Sequence, residues 1–224
     1  MSPFEGTPLV VTIDGPAASG KSSTAKQVAT RLGVRHVDSG SLYRAVTAAR
    51  LQPGDPPELW TERSVLEAAA RVTLVPGETT FEPRLDGGEC ESAIRGEDVT
   101  ALVSLVAKMP HVRAWVNATV RATSAAHEIV VDGRDMGTAV FPEARLKVWL
   151  VAAPEERAHR RVLQRTGRAP TAVELAAETA ELEARDRRDR EQTQPAPDAV
   201  WIDTTGISQD EQVGRVVALA EQRR

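Results

Sequence analysis

The chain carries a single cysteine, Cys90, so it can close no disulfide within itself, and a reducing, cytoplasmic setting is expected. It has only four histidines, which with that cysteine make no metal-ligand spacing, so no structural metal is expected. There is no basic surplus. Asp and Glu number 32 against 28 Lys and Arg, the net charge is -4 and the pI is near 5.7, which argues against nucleic acid as a partner. Lysine itself is scarce, being confined to Lys21, Lys26, Lys108 and Lys147. No apolar run approaches the roughly 20 residues of a membrane span. The start, "MSPFEGTPLVV", lacks a charged region ahead of a long apolar run, so neither a membrane anchor nor a secretion signal is expected. Coiled-coil heptads and a broad apolar stripe are missing as well, and the expectation is a monomer.

What is present is an alternation. Short β-branched runs, "PLVVTID" (8–14), "VRHVDSG" (34–40), "EIVVDG" (128–133), "LKVWLVAA" (146–153) and "AVWIDT" (199–204), are interleaved with helical patterns. Continuous apolar strands alternating with helices predict an α/β fold with a five-stranded parallel sheet covered on both faces. One segment breaks the alternation. Residues 71–93 hold three short strand-like pieces divided by Pro76-Gly77 and Gly87-Gly88, which predicts a small antiparallel insertion. Residues 97–127 predict two helices broken at Pro110, and 171–191 one long charged helix.

"GPAASGKSST" (15–24) follows the first strand and opens a helix, the setting in which G-x-x-x-x-G-K-[ST] binds phosphate. Gly15 and Gly20 let the backbone curl so that successive N–H groups point inward, Lys21 reaches the phosphates, and the helix N-terminus adds partial positive charge. The hydroxyl of Ser22 or Ser23 is a candidate ligand for Mg²⁺. Two further segments end strands on the same sheet edge, where ligands of open α/β sheets bind. "HVDSGSLYRA" (36–45) places Arg44 near a second anion. "VVDGRDMG" (130–137) offers Asp132 as a Mg²⁺ holder through water and Arg134 as a bidentate grip on a transferring phosphoryl group. The arginine-dense stretches 154–168 and 183–191 are either solvated faces or a mobile lid closing over phosphates.

Taken together, "VTIDGPAASGKSSTA", "VDSGSLYRAV", "SAIRGEDVTALVSLVAKMPHVRAWV", "VVDGRDMGTAVFP", "PEERAHRRVLQ" and "IDTTGISQDEQVGRVVAL" resemble the bacterial cytidylate kinases, within the nucleoside monophosphate kinase group, almost end to end. That resemblance implies one P-loop kinase domain over 1–224, a CMP-binding subdomain at 55–127 that includes the insertion, and an Arg-rich helical lid at 154–192. ATP would be the donor, with Mg²⁺, and CMP and dCMP the acceptors. Gly15, Pro16, Ala17, Ala18, Ser19, Gly20, Lys21, Ser22 and Ser23 would cradle the ATP phosphates. Ser39 and Arg44 would hold the CMP end, with Arg44 on its phosphate, while Ser104, Arg113 and Asp135 would read the pyrimidine. Arg185 and Asp189 would hold the ribose. Lys21, Arg134 and Asp135 would be catalytic, as would Arg161 from the lid, where Arg157 also belongs. The chain departs from the family's pattern at Gln192, where another nucleotide-contacting arginine is usual, and in a shorter loop after it.

Two other readings stay open on sequence alone. A kinase for a hydroxyl acceptor would recast Asp135 as a catalytic base. A nucleotide-binding regulatory protein would need none of the acceptor residues.

Overall fold

The structure, a computed structural model, describes residues 8–190 and 193–224. β1 (Val10–Asp14) runs into α1 (Lys21–Leu32), which Gly33 stops in a left-handed conformation at φ 68°. β2 (Arg35–Asp38) leads into α2 (Ser39–Leu51), whose first turn is capped by the Asp38 side chain accepting from the Ser41 N–H at 3.1 Å. α3 (Glu62–Ala69) opens with a Thr61/Ser64 capping box. The insertion is β3 (Val72–Pro76), β4 (Phe81–Leu85) and β5 (Gly88–Glu89), an antiparallel sheet of three strands. A short α4 (Glu91–Ile94), not anticipated from sequence, precedes α5 (Glu97–Val106) and α6 (Pro110–Thr123). Pro110 is the first residue of α6, where its missing N–H costs nothing.

β6 (Ile129–Gly133) is followed by a single π-helical turn at Met136–Val140, then by β7 (Leu146–Val151). α7 (Pro154–Thr166) and α8 (Ala172–Asp189) pack against each other, the second opened by a Thr171/Glu174 capping box. β8 (Val200–Asp203) and α9 (Gln209–Glu221) close the chain.

The five long-range strands form one parallel sheet in the order β2-β6-β1-β7-β8. Alternate side chains serve opposite faces, as the strand period requires. Val37, Ile129 and Val131 face a core shared with α2, α3, α5 and α6, whereas Val11, Ile13, Val130 and Val148 face α1 and α9. Phe81 and Leu85 of the insertion belong to the first of these cores. The insertion also touches the sheet edge, where the His36 N–H donates to Thr79 O at 2.9 Å. Among the described residues no helix is long and apolar enough to cross a membrane.

Candidate active site

The strand order reverses direction around β1, so the carboxyl ends of β1, β6 and β2 open on one crevice. Register sets what stands there: Asp38 pairs with Asp132, and Asp14 with Gly133. Gly133 has to be glycine, because a Cβ would lie 2.6 Å from Ser39 Oγ, the atom that ties α2 to the end of β6 by donating to Asp132 O at 2.8 Å.

The phosphate loop spans this crevice. Gly20 takes φ +88° ahead of α1 and no side chain caps the helix, which leaves its first N–H groups open to an anion. Ala18 holds φ +58°, a left-handed conformation that non-glycine residues keep only where surroundings impose it. Lys21 Nζ donates to Pro16 O at 3.2 Å, curling back over the loop. Burial, with the nearby Arg134 charge adding to it, pulls the Lys21 ammonium down to about 8. Of the two serines left open by sequence, Ser22 meets Asp132, donating from Oγ to Oδ2 at 2.5 Å. Ser23 turns away to Gly20 O. Ser22 Oγ and Asp132 Oδ2 are adjacent hard oxygen donors, and that fits Mg²⁺, which takes few protein ligands beside phosphate oxygens and water.

Across from the loop lies a cavity of about 870 Å³, its open mouth included, lined by Lys21, Ser39, Arg44, Ser104, Arg113, Asp132, Arg134, Asp135, Arg185 and Asp189. The structure therefore gathers residues far apart in sequence. Arg113 and the buried Asp135 form an ion pair, and burial pushes the Asp135 carboxyl up against the pull of Arg113. Arg134 donates to Gly15 O at 3.3 Å and pairs with Asp189 at 3.3 Å, so it stands between loop and cavity. Arg185 Nε is buried without a hydrogen-bond acceptor, 3.7 Å from Asp189. Arg44 is held by Ile94 O at 3.3 Å and Thr100 Oγ1 at 2.9 Å. Burial, then the like charges of Arg185 and Arg95 respectively, lowers the pKa of Arg134 and of Arg44. Depressed cations around one cavity describe a site whose charge an anion relieves.

Arg161 is placed elsewhere. Its guanidinium pairs with Glu178 at 2.9 Å and does not line the cavity, and Arg165 pairs with the same glutamate at 3.0 Å. α7 repeats arginine every four residues, and the face this makes finds a buried carboxylate on α8. Arg157, read from sequence as part of a lid, is 4% exposed and bound to the phosphate loop itself. Gln192 lies outside the described residues.

Three groups escaped the sequence reading. Asp14, 5% exposed, accepts from the Met136 and Gly137 N–H groups at 2.9 and 2.8 Å and so pins the turn after Asp135; burial outweighs those two donors and pushes its carboxyl up to about 7. His36 places Nε2 2.7 Å from Asp132 Oδ1, and its other nitrogen lies 3.3 Å from Thr80 Oγ1 of the insertion. Asp186 joins Arg157 at 2.7 Å. Each of these partners is distant in sequence; the one available signal was an acid at a strand's end, which fits Asp14.

A glycine loop with its lysine at the end of the central strand, an adjacent Ser–Asp oxygen pair and an arginine-lined cavity opposite define a P-loop phosphotransferase for two anionic substrates. The cytidylate kinase family model matches residues 11–222, and the chain belongs to that family. A cytidylate kinase from Thermus thermophilus is 44% identical over 93% of this chain and 97% of that one. A bifunctional pantoate ligase/cytidylate kinase from Synechococcus is 42% identical over 99% of this chain, which spans 42% of that longer protein. In fold, an uncharacterised protein from Eubacterium ventriosum is similar with a TM-score of 0.50 at 10% identity, over 96% of this chain and 99% of that one.

Proposed function

We propose that this chain transfers the terminal phosphoryl group of ATP to the phosphate of CMP and dCMP, giving CDP and dCDP. The observation that carries this reading is the arginine-lined cavity opening directly onto Lys21 of the phosphate loop. Residues 15–23 hold the donor phosphates, and Arg44 with Ser39 holds the acceptor phosphate. Cytosine offers an N4 amino donor beside acceptors, so it needs a carboxylate on one edge and a cationic donor on the other. Asp135 and Arg113, with Ser104 beside them, supply that pairing, whereas uracil would leave buried partners unmatched. Arg185 and Asp189 hold the ribose.

The acceptor phosphate has a second pKa of about 6 and is largely dianionic at neutral pH, so no strong general base is needed. The work left to the protein is to align two anions and neutralise them, the task of Lys21, Arg134 and Arg44, which all line the cavity. Ser22 and Asp132 would hold Mg²⁺, whose charge neutralises phosphate oxygens when it is bound. Arg161 joins the site only after leaving Glu178.

The test is ADP formation from ATP with CMP, dCMP, UMP, AMP or no acceptor. CMP- and dCMP-dependent ADP is expected. Turnover with UMP but not CMP would overturn the roles given to Arg113 and Asp135. ATP binding without acceptor-dependent ADP would favour a regulatory protein.

A further inference from the structure

The last turns of α8 carry Arg185, Asp186 and Asp189, and these face two ways. Arg185 and Asp189 line the acceptor cavity, whereas Asp186 faces the phosphate loop. The Ala17 N–H donates to Asp186 Oδ1 at 3.4 Å, and Ala17 O accepts from Arg157 Nη1 at 2.9 Å. That same Nη1 lies 2.7 Å from Asp186 Oδ2. One ion pair therefore holds both polar groups of a single loop residue. Arg157 is fixed in turn at the sheet, since its Nε donates to Ala152 O at 3.2 Å. A second tie reaches the start of the loop, because Asp189 pairs with Arg134, which donates to Gly15 O. Gly15 and Ala17, on either side of Pro16, are thus both anchored to the end of one helix. The residue after Ala17 is the left-handed Ala18, a conformation that such an anchor helps to impose.

We propose that Asp186 and Arg157 are positioning residues for the donor site. By fixing the backbone at Ala17 they aim the loop's N–H groups at the ATP phosphates, and through α8 they link that aim to occupancy of the acceptor cavity. The linkage rests on the two-nucleotide reading above; the positioning of the loop does not.

The experiment measures ATP and CMP dissociation constants by calorimetry on wild type, Asp186→Asn and Arg157→Lys, each full-length, with Tm recorded alongside. Asp186→Asn is expected to weaken ATP binding on the order of tenfold, about 1.4 kcal/mol, while CMP binding alone changes by less than about twofold. With a non-hydrolysable ATP analogue as the titrant, so that no transfer occurs, saturating CMP is expected to tighten its binding in the wild type, and that tightening should vanish in the variant. An equal loss for both nucleotides, or a lower Tm with ATP affinity intact, overturns the positioning role. Analogue affinity that ignores CMP in the wild type overturns the linkage. If Asp186→Asn does not fold, Arg157→Lys, which keeps the buried positive charge, reads the same two constants. Wild type that binds ATP but forms no CMP-dependent ADP sinks the acceptor reading and leaves the ATP comparison standing.

Discussion

Replacing Arg113 by methionine removes one half of an ion pair whose other half, Asp135, is 8% exposed. Methionine nearly fills the space of the alkyl stem, so the main loss is electrostatic. Breaking a buried pair from one side costs about 3–5 kcal/mol, because the remaining charge is stranded. For a chain of this length each kcal/mol lowers Tm by roughly 2–4 °C, so a loss of about 10 °C is expected. The sign with pH follows from Asp135. Burial already raises its carboxyl above the ordinary 3.8, and Arg113 is the largest influence opposing that rise. Without Arg113 the folded-state value moves further up. A carboxyl raised on folding destabilises the native state as pH climbs past the unfolded value, and the penalty is complete above the folded one. The Tm deficit of Arg113→Met should therefore be larger at pH 8 than at pH 5. Adding Asp135→Asn should recover part of it and flatten the pH difference. Scanning fluorimetry of wild type, Arg113→Met and the double variant without nucleotide is sufficient. A deficit equal at both pH values, or a double variant no better than the single, would refute the stranded-charge explanation.

Arg44→Met should raise the acceptor KM by about 10- to 100-fold and leave the ATP KM within about twofold, the loss of one charge-assisted phosphate contact; steady-state kinetics with each nucleotide varied would misplace Arg44 if both rose together. Lys21 falls on folding from 10.5 to about 8, so between those values the unfolded chain binds more protons and stability of the nucleotide-free protein should rise with pH. Lys21→Met should abolish that rise in Tm between pH 8 and pH 10, and a slope that survives the substitution would assign it to another group. His36→Phe removes the contact that orients Asp132, and turnover should fall about 10- to 100-fold at low Mg²⁺ and recover partly at high Mg²⁺. An unchanged Mg²⁺ dependence, with Tm lowered, would leave His36 a packing residue only.

The three central strands, β6, β1 and β7, were legible because each is an apolar run buried on both faces, a pattern with no competing helical period. The insertion was legible for the opposite reason, since Pro76-Gly77 and Gly87-Gly88 punctuate it. The phosphate loop and the "DGRDMG" segment announced themselves through local spacing. Arg157, Arg161 and His36 did not. The four-residue spacing on α7 gives a shared face but is silent about what meets it, and Glu178 and Ala17 are chosen by the packing of α7 on α8 and on the loop. His36 reads as an ordinary strand residue until β2 is laid beside β6 in the register that sets Asp38 against Asp132. The π-helical turn after Asp135 was equally hidden, because it depends on Asp14 from a strand more than a hundred residues earlier.

Several cations at the site come with a carboxylate of their own: Arg113 with Asp135, Arg134 with Asp189, and outside the cavity Arg161 with Glu178. The protein is in this respect an ion exchanger. A phosphate oxygen that reaches Arg134 displaces Asp189, which stays nearby to reclaim its arginine, whereas Lys21 and Arg44 are held, among the described residues, only by neutral oxygens and meet phosphate directly. At Arg134 binding is then a trade between similar contacts, which tempers the gain from that phosphate contact. For a catalyst that has to release two nucleotides after every transfer, shallow occupancy of this kind favours turnover over capture.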